Sequence, residues 1–259
     1  MLDKINLTQH WINSRQSERI LVNVYEPQGD LSGVALIHHG YGGSSQSPVI
    51  TRLREVFLSA GMSTVVPDTR NSLNQSGGDI THFTFQEHAE NLEDVYNWLV
   101  TEGDKHIPFH LCGYSLGGYS VTTLLKLKEN FRSALLVAPI FSGIFFRQGM
   151  EASAPGIMDF WKDKESIGFK NDTGIDFNAP YRCWDEWLRA DSIGERIPMS
   201  GKVTLVTAQK DSLILDEHLE VAEKAFSLAN LKLVTIPEET HFFDQHPNRL
   251  KNLAKNHLG

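Results

Sequence analysis

Residues 109–120 read FHLCGYSLGGYS, and this stretch decides how the chain is organised. Phe109, His110, Leu111 and Cys112 have the character of a buried strand end, and Tyr119-Ser120-Val121-Thr122-Thr123-Leu124-Leu125 that of a packed helix. Gly113-Tyr114-Ser115-Leu116-Gly117 lies between them, with Gly118 directly after. A strand that turns straight into a helix needs small residues where backbones pass closely, so packing alone accounts for the glycines. The role of Ser115 depends on what the rest of the chain brings beside it.

Outward from this turn, short β-rich runs alternate with amphipathic helices. Arg19–Tyr25 and Val34–His38 flank a Pro-Gln-Gly-Asp turn and are expected to form a hairpin. Ser47-Pro48 supplies an N-cap and a first-turn proline, and Gly61 a stop, for a helix carrying Ile50, Leu53, Val56 and Phe57. Met62–Pro67 is the next strand. Thr84-Phe85-Gln86-Glu87 fits a capping box opening a helix with Leu92, Val95, Trp98 and Leu99 on one face. Ser133–Ala138, Lys202–Ala208 and Leu231–Ile236 are further strands, and helices are expected at about Asp216–Leu228 and Asp244–His257. Regular alternation of this kind predicts an α/β fold with a mainly parallel sheet and helices on both faces.

The chain is 259 residues long, 41% apolar and 22% charged, enough for one large α/β domain with an inserted subdomain. A formal charge of −8 and the absence of any basic run argue against a nucleic-acid or anionic-membrane partner. Cys112 and Cys183 are the only cysteines and read as free thiols of a reducing compartment. The polar start, MLDKINLTQHW, and the lack of a long apolar stretch predict a soluble, cytoplasmic protein. The oligomeric state stays open, with a homodimer among the options.

One segment breaks the rhythm. Residues 141–196 form a long, aromatic-rich insertion, read as a cap on a core made of residues 1–140 and 197–259. Phe145, Phe146, Trp161, Trp184 and Trp187 are its candidate substrate-binding side chains, the remaining aromatics forming its own small core.

Ligands of open parallel sheets bind beyond the carboxyl ends of the strands. Ser115, Asp211 and His241 each follow directly on a predicted strand. A serine hydroxyl becomes a competent nucleophile when a neighbouring base takes its proton, histidine suits that task near neutral pH, and a carboxylate holds the imidazole in place. His246 is the rival histidine and Asp216 the rival acid, although Asp216 reads better as a residue attracted to a helix N-terminus. His39-Gly40-Tyr41-Gly42-Gly43 ends another strand. The backbone N–H groups of Tyr41 and Leu116 are the candidate oxyanion donors. The Tyr41 ring either lines the pocket or packs within the loop.

His38 and His39 adjoin this loop, one of them read as a packed structural imidazole, and His82, His88, His106, His110 and His218 are scattered without an assigned role. No His/Cys/Asp spacing resembles a zinc site and no phosphate-binding glycine loop is present, so neither metal nor cofactor is expected. Lys162-Asp163-Lys164-Glu165 reads as a solvated face, and Glu238 and Glu239 as an exposed turn.

Gly113-Tyr114-Ser115-Leu116-Gly117 matches the G-x-S-x-G elbow, His39–Gly43 an H-G-x-G-type loop, and the order Ser115, Asp211, His241 the family order of nucleophile, acid and histidine. The chain thus resembles the α/β-hydrolase family from about Arg19 to its last helix. More narrowly it is similar to the serine aminopeptidase/monoacylglycerol-lipase and small feruloyl-esterase-like group. That resemblance implies an eight-stranded sheet, a helical lid where the insertion lies, and no cofactor. It departs at Asp68-Thr69-Arg70-Asn71-Ser72, where a D-x-R-G-x-G-x-S stretch often stands and the first glycines are missing.

The expected activity is that of a serine carboxylesterase acting on small-molecule esters with an apolar acyl or aryl group. Thioesterase, lipase, peptidase, carbon–carbon hydrolase and acyltransferase chemistry use the same triad. A ligand-binding receptor on a hydrolase scaffold is the alternative from a different class.

Overall fold

In the computed structural model, which describes residues 6–102, 107–226 and 230–258, the two faces of one twisted sheet are covered by different helices. β1 (Asn6–Asn13) and β2 (Arg19–Glu26) pair antiparallel at one edge. β2 also pairs antiparallel with β4 (Met62–Asp68), and β4 runs parallel to β3 (Gly33–His38). β5 (Phe109–Tyr114), β6 (Phe131–Val137), β9 (Lys202–Ala208) and β10 (Leu231–Ile236) continue in parallel. The eight-stranded order is β1-β2-β4-β3-β5-β6-β9-β10.

The expected hairpin between Arg19–Tyr25 and Val34–His38 does not form. β4 lies between those strands, and the hairpin partner of β2 is β1. Every residue of β4 is buried, which favours a place with a neighbour on each side. β1 is exposed along most of its length, as an edge strand can be, and so carries little apolar pattern.

Period-two alternation divides the central strands between two cores. Leu36, Leu111, Leu136 and Leu205 face α2 (Phe85–Glu102), α3 (Gly117–Leu127) and α7 (Asp216–Ala225). Ile37, Cys112, Leu135 and Val206 face α1 (Pro48–Ser59) and α8 (Pro247–Leu258). The predicted capping residue Thr84 accepts from Glu87 N at 3.1 Å, whereas the Ser47 side chain does not cap α1. α8 starts at Pro247 rather than Asp244, because the buried Glu239 carboxylate holds the N–H groups of Gln245 and His246 in a turn ahead of it. Glu239 is therefore a buried anchor rather than part of an exposed turn, while Glu238 is exposed. The expected helix end at Leu228 and the histidine at 106 lie outside the described residues.

Between β6 and β9 the chain forms α4 (Gly143–Ser153), α5 (Ile157–Lys164), β7 (Ser166–Lys170), β8 (Asp176–Pro180) and α6 (Trp184–Trp187). The segment is not wholly helical, since β7 and β8 make an antiparallel hairpin. Alternation along the hairpin puts Ile167 opposite Ala179 and Phe169 opposite Phe177, with these side chains packed into the adjoining core. At its turn, Asn171 Oδ1 accepts from Thr173 N and Ile175 N, and Gly174 takes a positive φ of 84°. Among the described residues no helix is long and apolar enough to cross a membrane.

Candidate active site

The strand-to-helix turn holds Ser115 at a φ of +53°, a region disfavoured for a residue with a Cβ and worth about 1–3 kcal/mol of strain. Hydrogen bonds fix it on both sides. Ser115 N donates to Val137 O at 2.9 Å, and Ser115 O accepts from Gly118 N at 2.8 Å and Ile140 N at 3.0 Å. A side chain at Gly113 would strike the Gly117 carbonyl, and one at Gly117 the His38 carbonyl. The glycines thus let β5, α3 and β3 approach closely enough to present the hydroxyl at the sheet's carboxyl end.

Ser115 Oγ lies 2.9 Å from His241 Nε2, and His241 Nδ1 lies 2.7 Å from Asp211 Oδ2. The Asp211 side chain is fully buried, and its other oxygen accepts from Leu213 N at 2.9 Å. Tyr114 OH donates to His241 O at 3.2 Å and so ties the histidine loop to the elbow. The rivals fall elsewhere. Asp216 is exposed in the first turn of α7, and His246 stands just ahead of α8, its N–H bonded to Glu239.

The His39–Gly43 loop crosses directly over the elbow. A Cβ on Gly40 would sit 2.9 Å from Ser115 Cβ, so only a bare backbone fits there. Among the described residues, no protein acceptor takes the N–H of Tyr41 or Leu116. Buried imidazoles support the loop from beneath. His39 Nδ1 bonds Gly40 O at 2.8 Å, and its Nε2 accepts from Thr69 N at 3.2 Å. His88 Nε2 donates to His39 O at 3.0 Å, and its ring stacks on that of His38 at 4.2 Å. Burial lowers the pKa of all three, keeping them neutral. His88, which sequence reasoning left without a role, thereby braces the loop.

Asn71 occupies the place where the resemblance led us to expect a glycine. It takes a φ of +51°, which asparagine tolerates better than most residues. Its side chain bonds Asp79 N at 2.8 Å and Glu87 Oε2 at 2.6 Å. Asn71 thus holds a positive-φ turn with side-chain hydrogen bonds that a glycine could not make.

The cavity above Ser115 measures about 110 Å³. Of the candidate substrate-binding residues, Tyr41 and Phe146 line it, together with Ile140, Met150, Phe169, Phe177 and Leu213. The other expected aromatics lie elsewhere. Trp161, Trp184 and Trp187 form the core of the inserted segment, with Trp161 Nε1 donating to Ala179 O at 2.8 Å and Trp187 Nε1 to Phe83 O at 3.1 Å. An indole buried away from water needs such a partner, and facing inward supplies it. Phe145 stacks on His218 at 4.2 Å, away from the cavity. Tyr41 both lines the cavity and packs edge-on against Phe177 and Trp187.

Three polar lining residues went unnoticed in the sequence: Lys170, Asn171 and Asp172, at the hairpin turn. Asn171 Nδ2 donates to Gly42 O at 2.9 Å, and Asp172 Oδ1 accepts from Ser47 Oγ at 2.9 Å. Ser47 is thus drawn from its expected capping role to fasten the hairpin over the loop. Among the described residues no group of His, Cys, Asp and Glu side chains could hold a metal ion, and Cys112 and Cys183 are unpaired.

A strained serine at a strand–helix elbow, bonded to a histidine that is bonded to a carboxylate, is the arrangement found in hydrolases that use a serine nucleophile. A profile of the alpha/beta hydrolase family matches residues 34–251, and the chain belongs to that family. Its fold is similar to Est1E from Butyrivibrio proteoclasticus with ferulic acid bound, with a TM-score of 0.74 and 17% identity over 96% of this chain and 97% of that one. An esterase of Pyrococcus furiosus aligns with a TM-score of 0.75 and 16% identity over 98% of this chain and 91% of the other. Alpha/beta hydrolase domain-containing protein 10 from mouse gives 0.75 and 15% over 97% and 98%. No curated protein matches the chain by sequence.

Proposed function

We infer that this hydrolase is a serine carboxylesterase that works through an acyl-enzyme. The carrying observation is the unbroken relay from Ser115 Oγ to His241 Nε2 at 2.9 Å and from His241 Nδ1 to Asp211 at 2.7 Å. His241 takes the Ser115 proton as the oxygen attacks the ester carbonyl, and Asp211 stabilises the imidazolium that results. The Tyr41 and Leu116 N–H groups receive the oxyanion. Collapse expels the alcohol, which takes its proton from His241 Nε2. Water, deprotonated by the same nitrogen, then attacks the acyl-enzyme. The second tetrahedral intermediate releases the acid and returns the proton to Ser115.

Segment 141–196 acts as the cap on this site, supplying Phe146, Met150, Phe169 and Phe177 to its apolar wall. A cavity of about 110 Å³ suits a short acyl chain, given that a dry cavity of about 150 Å³ accommodates benzene. The esterase and the ferulic-acid complex among the structural neighbours are compatible with this chemistry. A series of p-nitrophenyl esters from acetyl to palmitoyl tests the proposal. Acetyl to butyryl esters are expected to turn over fastest, with activity lost in Ser115→Ala. Undiminished turnover in the alanine variant would overturn the assignment.

A further inference from the structure

Beside the cavity above Ser115 lies a second, larger groove of about 370 Å³, and the two share Lys170, Asn171, Asp172 and Phe242 in their walls. Their walls differ. The inner cavity is enclosed mostly by apolar side chains, whereas Arg52, Lys170, Asn171, Asp172 and Asp244 line the groove.

Nearly all of these polar groups already have protein partners. Arg52 donates to Phe243 O at 2.7 Å, and Lys170 pairs with Asp176 at 3.3 Å. Asn171 uses its amide nitrogen on Gly42 O and its oxygen on the turn. Asp244 accepts from Thr240 Oγ1 at 2.9 Å and Gln245 Nε2 at 3.2 Å. Asp172 is the exception. Ser47 satisfies its Oδ1, while Oδ2 is buried and has no partner. A buried carboxylate oxygen left without a donor is costly, and burial raises the pKa of this group. Such an oxygen is well suited to accept a hydrogen bond from a bound molecule.

Its place in the reaction follows from the proton path. The ester oxygen that leaves must stand beside His241 Nε2, which protonates it. Phe242 adjoins His241 and lines both the cavity and the groove, so the leaving alcohol runs along the side where Asp172 lies. The acyl group then fills the apolar interior. We propose that Asp172 is a specificity-determining residue that accepts a hydrogen bond from a free hydroxyl on the leaving alcohol, making esters of hydroxylated alcohols the preferred substrates. This proposal rests on the esterase reading above.

The test compares 2-hydroxyethyl butyrate with propyl butyrate, which differ by a hydroxyl in place of a methyl. kcat/KM is measured for both esters with the wild type, Asp172→Asn and Asp172→Leu. The wild type is expected to favour the hydroxyl ester by about tenfold, the scale of a hydrogen bond to a buried charged group. In Asp172→Leu the ratio of the two kcat/KM values should fall to one or below, the ratio being the readout because loss of the Ser47 partner lowers turnover of both esters alike. Asp172→Asn keeps an oxygen acceptor and should retain part of the preference. An equal ratio of the two esters in the wild type and both variants, whatever their absolute rates, would overturn the role of Asp172 and leave the esterase reading standing. Failure of the wild type to hydrolyse either ester would overturn both.

Discussion

Among the described residues two buried serines meet histidines, and they lie at opposite ends of the sheet. At the carboxyl end Ser115 Oγ meets His241 Nε2 at 2.9 Å; at the amino end Ser133 Oγ meets His257 Nε2 at 2.9 Å. Only the first has what nucleophilic chemistry requires. Ser115 sits at a strained turn, its histidine is held by a carboxylate, and a cavity opens above it. Ser133 lies within strand β6, and His257 Nδ1 contacts the Thr204 hydroxyl at 2.8 Å rather than an acid. A second imidazole, His110, engages the same serine oxygen at 2.9 Å. Proximity of serine and histidine is therefore not the deciding feature. On the proposed function, the carboxylate, the elbow and the Tyr41 and Leu116 N–H groups give one contact its chemistry, while the other ties α8 to the sheet.

The largest expected effect separates the two serines. Ser115→Ala should reduce kcat by at least about 10⁴-fold, since removal of a triad nucleophile leaves only binding and oxyanion stabilisation. Ser133→Ala should leave kcat/KM within about twofold and lower unfolding stability by about 1–3 kcal/mol, because two buried imidazole nitrogens lose their partner. Ester kinetics together with urea denaturation read both effects. Comparable activity losses in the two variants would erase the distinction.

Next in size is the acid. Asp211→Asn should lower kcat by about 10³–10⁴-fold, because the amide holds the wrong imidazole tautomer. Asp216→Asn, on the exposed first turn of α7, should change kcat by less than about twofold. Gly40→Ala follows, since its methyl group would lie 2.9 Å from Ser115 Cβ and push the loop off the elbow. A drop in kcat on the order of a hundredfold is expected in single-turnover measurements, the scale set by losing one oxyanion donor.

The smallest effect concerns pH and belongs to the amino end. Burial, with nearby Lys202 adding to it, lowers the His257 pKa from 6.5 to about 4. The folded state thus binds fewer protons than the unfolded state between those values. The stability this contributes is complete above about pH 6.5 and is lost as pH falls toward 4. Urea midpoints should rise with pH across this window, and His257→Gln should make the rise shallower. The buried His38, His39 and His88 contribute in the same direction, so some slope should persist in the variant.

Much of the site could be read from the chain because its parts are written locally. Gly113–Gly117, Asp211 and His241 each follow a strong apolar strand, and β9 and β10 have the expected bounds. Long-range pairing was harder to read. The short connection between β2 and β3 looks like a hairpin, and only the fully buried β4 reveals that a third strand enters between them. β1 gave little signal because an edge strand need bury only part of one face.

The inserted segment marks another limit. Hydrophobicity shows that Trp161, Trp184 and Trp187 are buried, but not that they face each other rather than the cavity. The alternation of Ile167, Phe169, Phe177 and Ala179 was available as a signal for the β7–β8 hairpin. Asp172 had no comparable signal. Its meaning comes from Ser47, distant in sequence, and from a second oxygen that meets no donor.

The central claim is that Ser115 alone among the buried serines is activated. The direct measurement is labelling with a fluorophosphonate probe, which reacts with activated serines, followed by peptide mass spectrometry. A single adduct on Ser115, abolished in Ser115→Ala and retained in Ser133→Ala, is the predicted result. An adduct on Ser133, or ester turnover with Ser115 unlabelled at full probe occupancy, would contradict it.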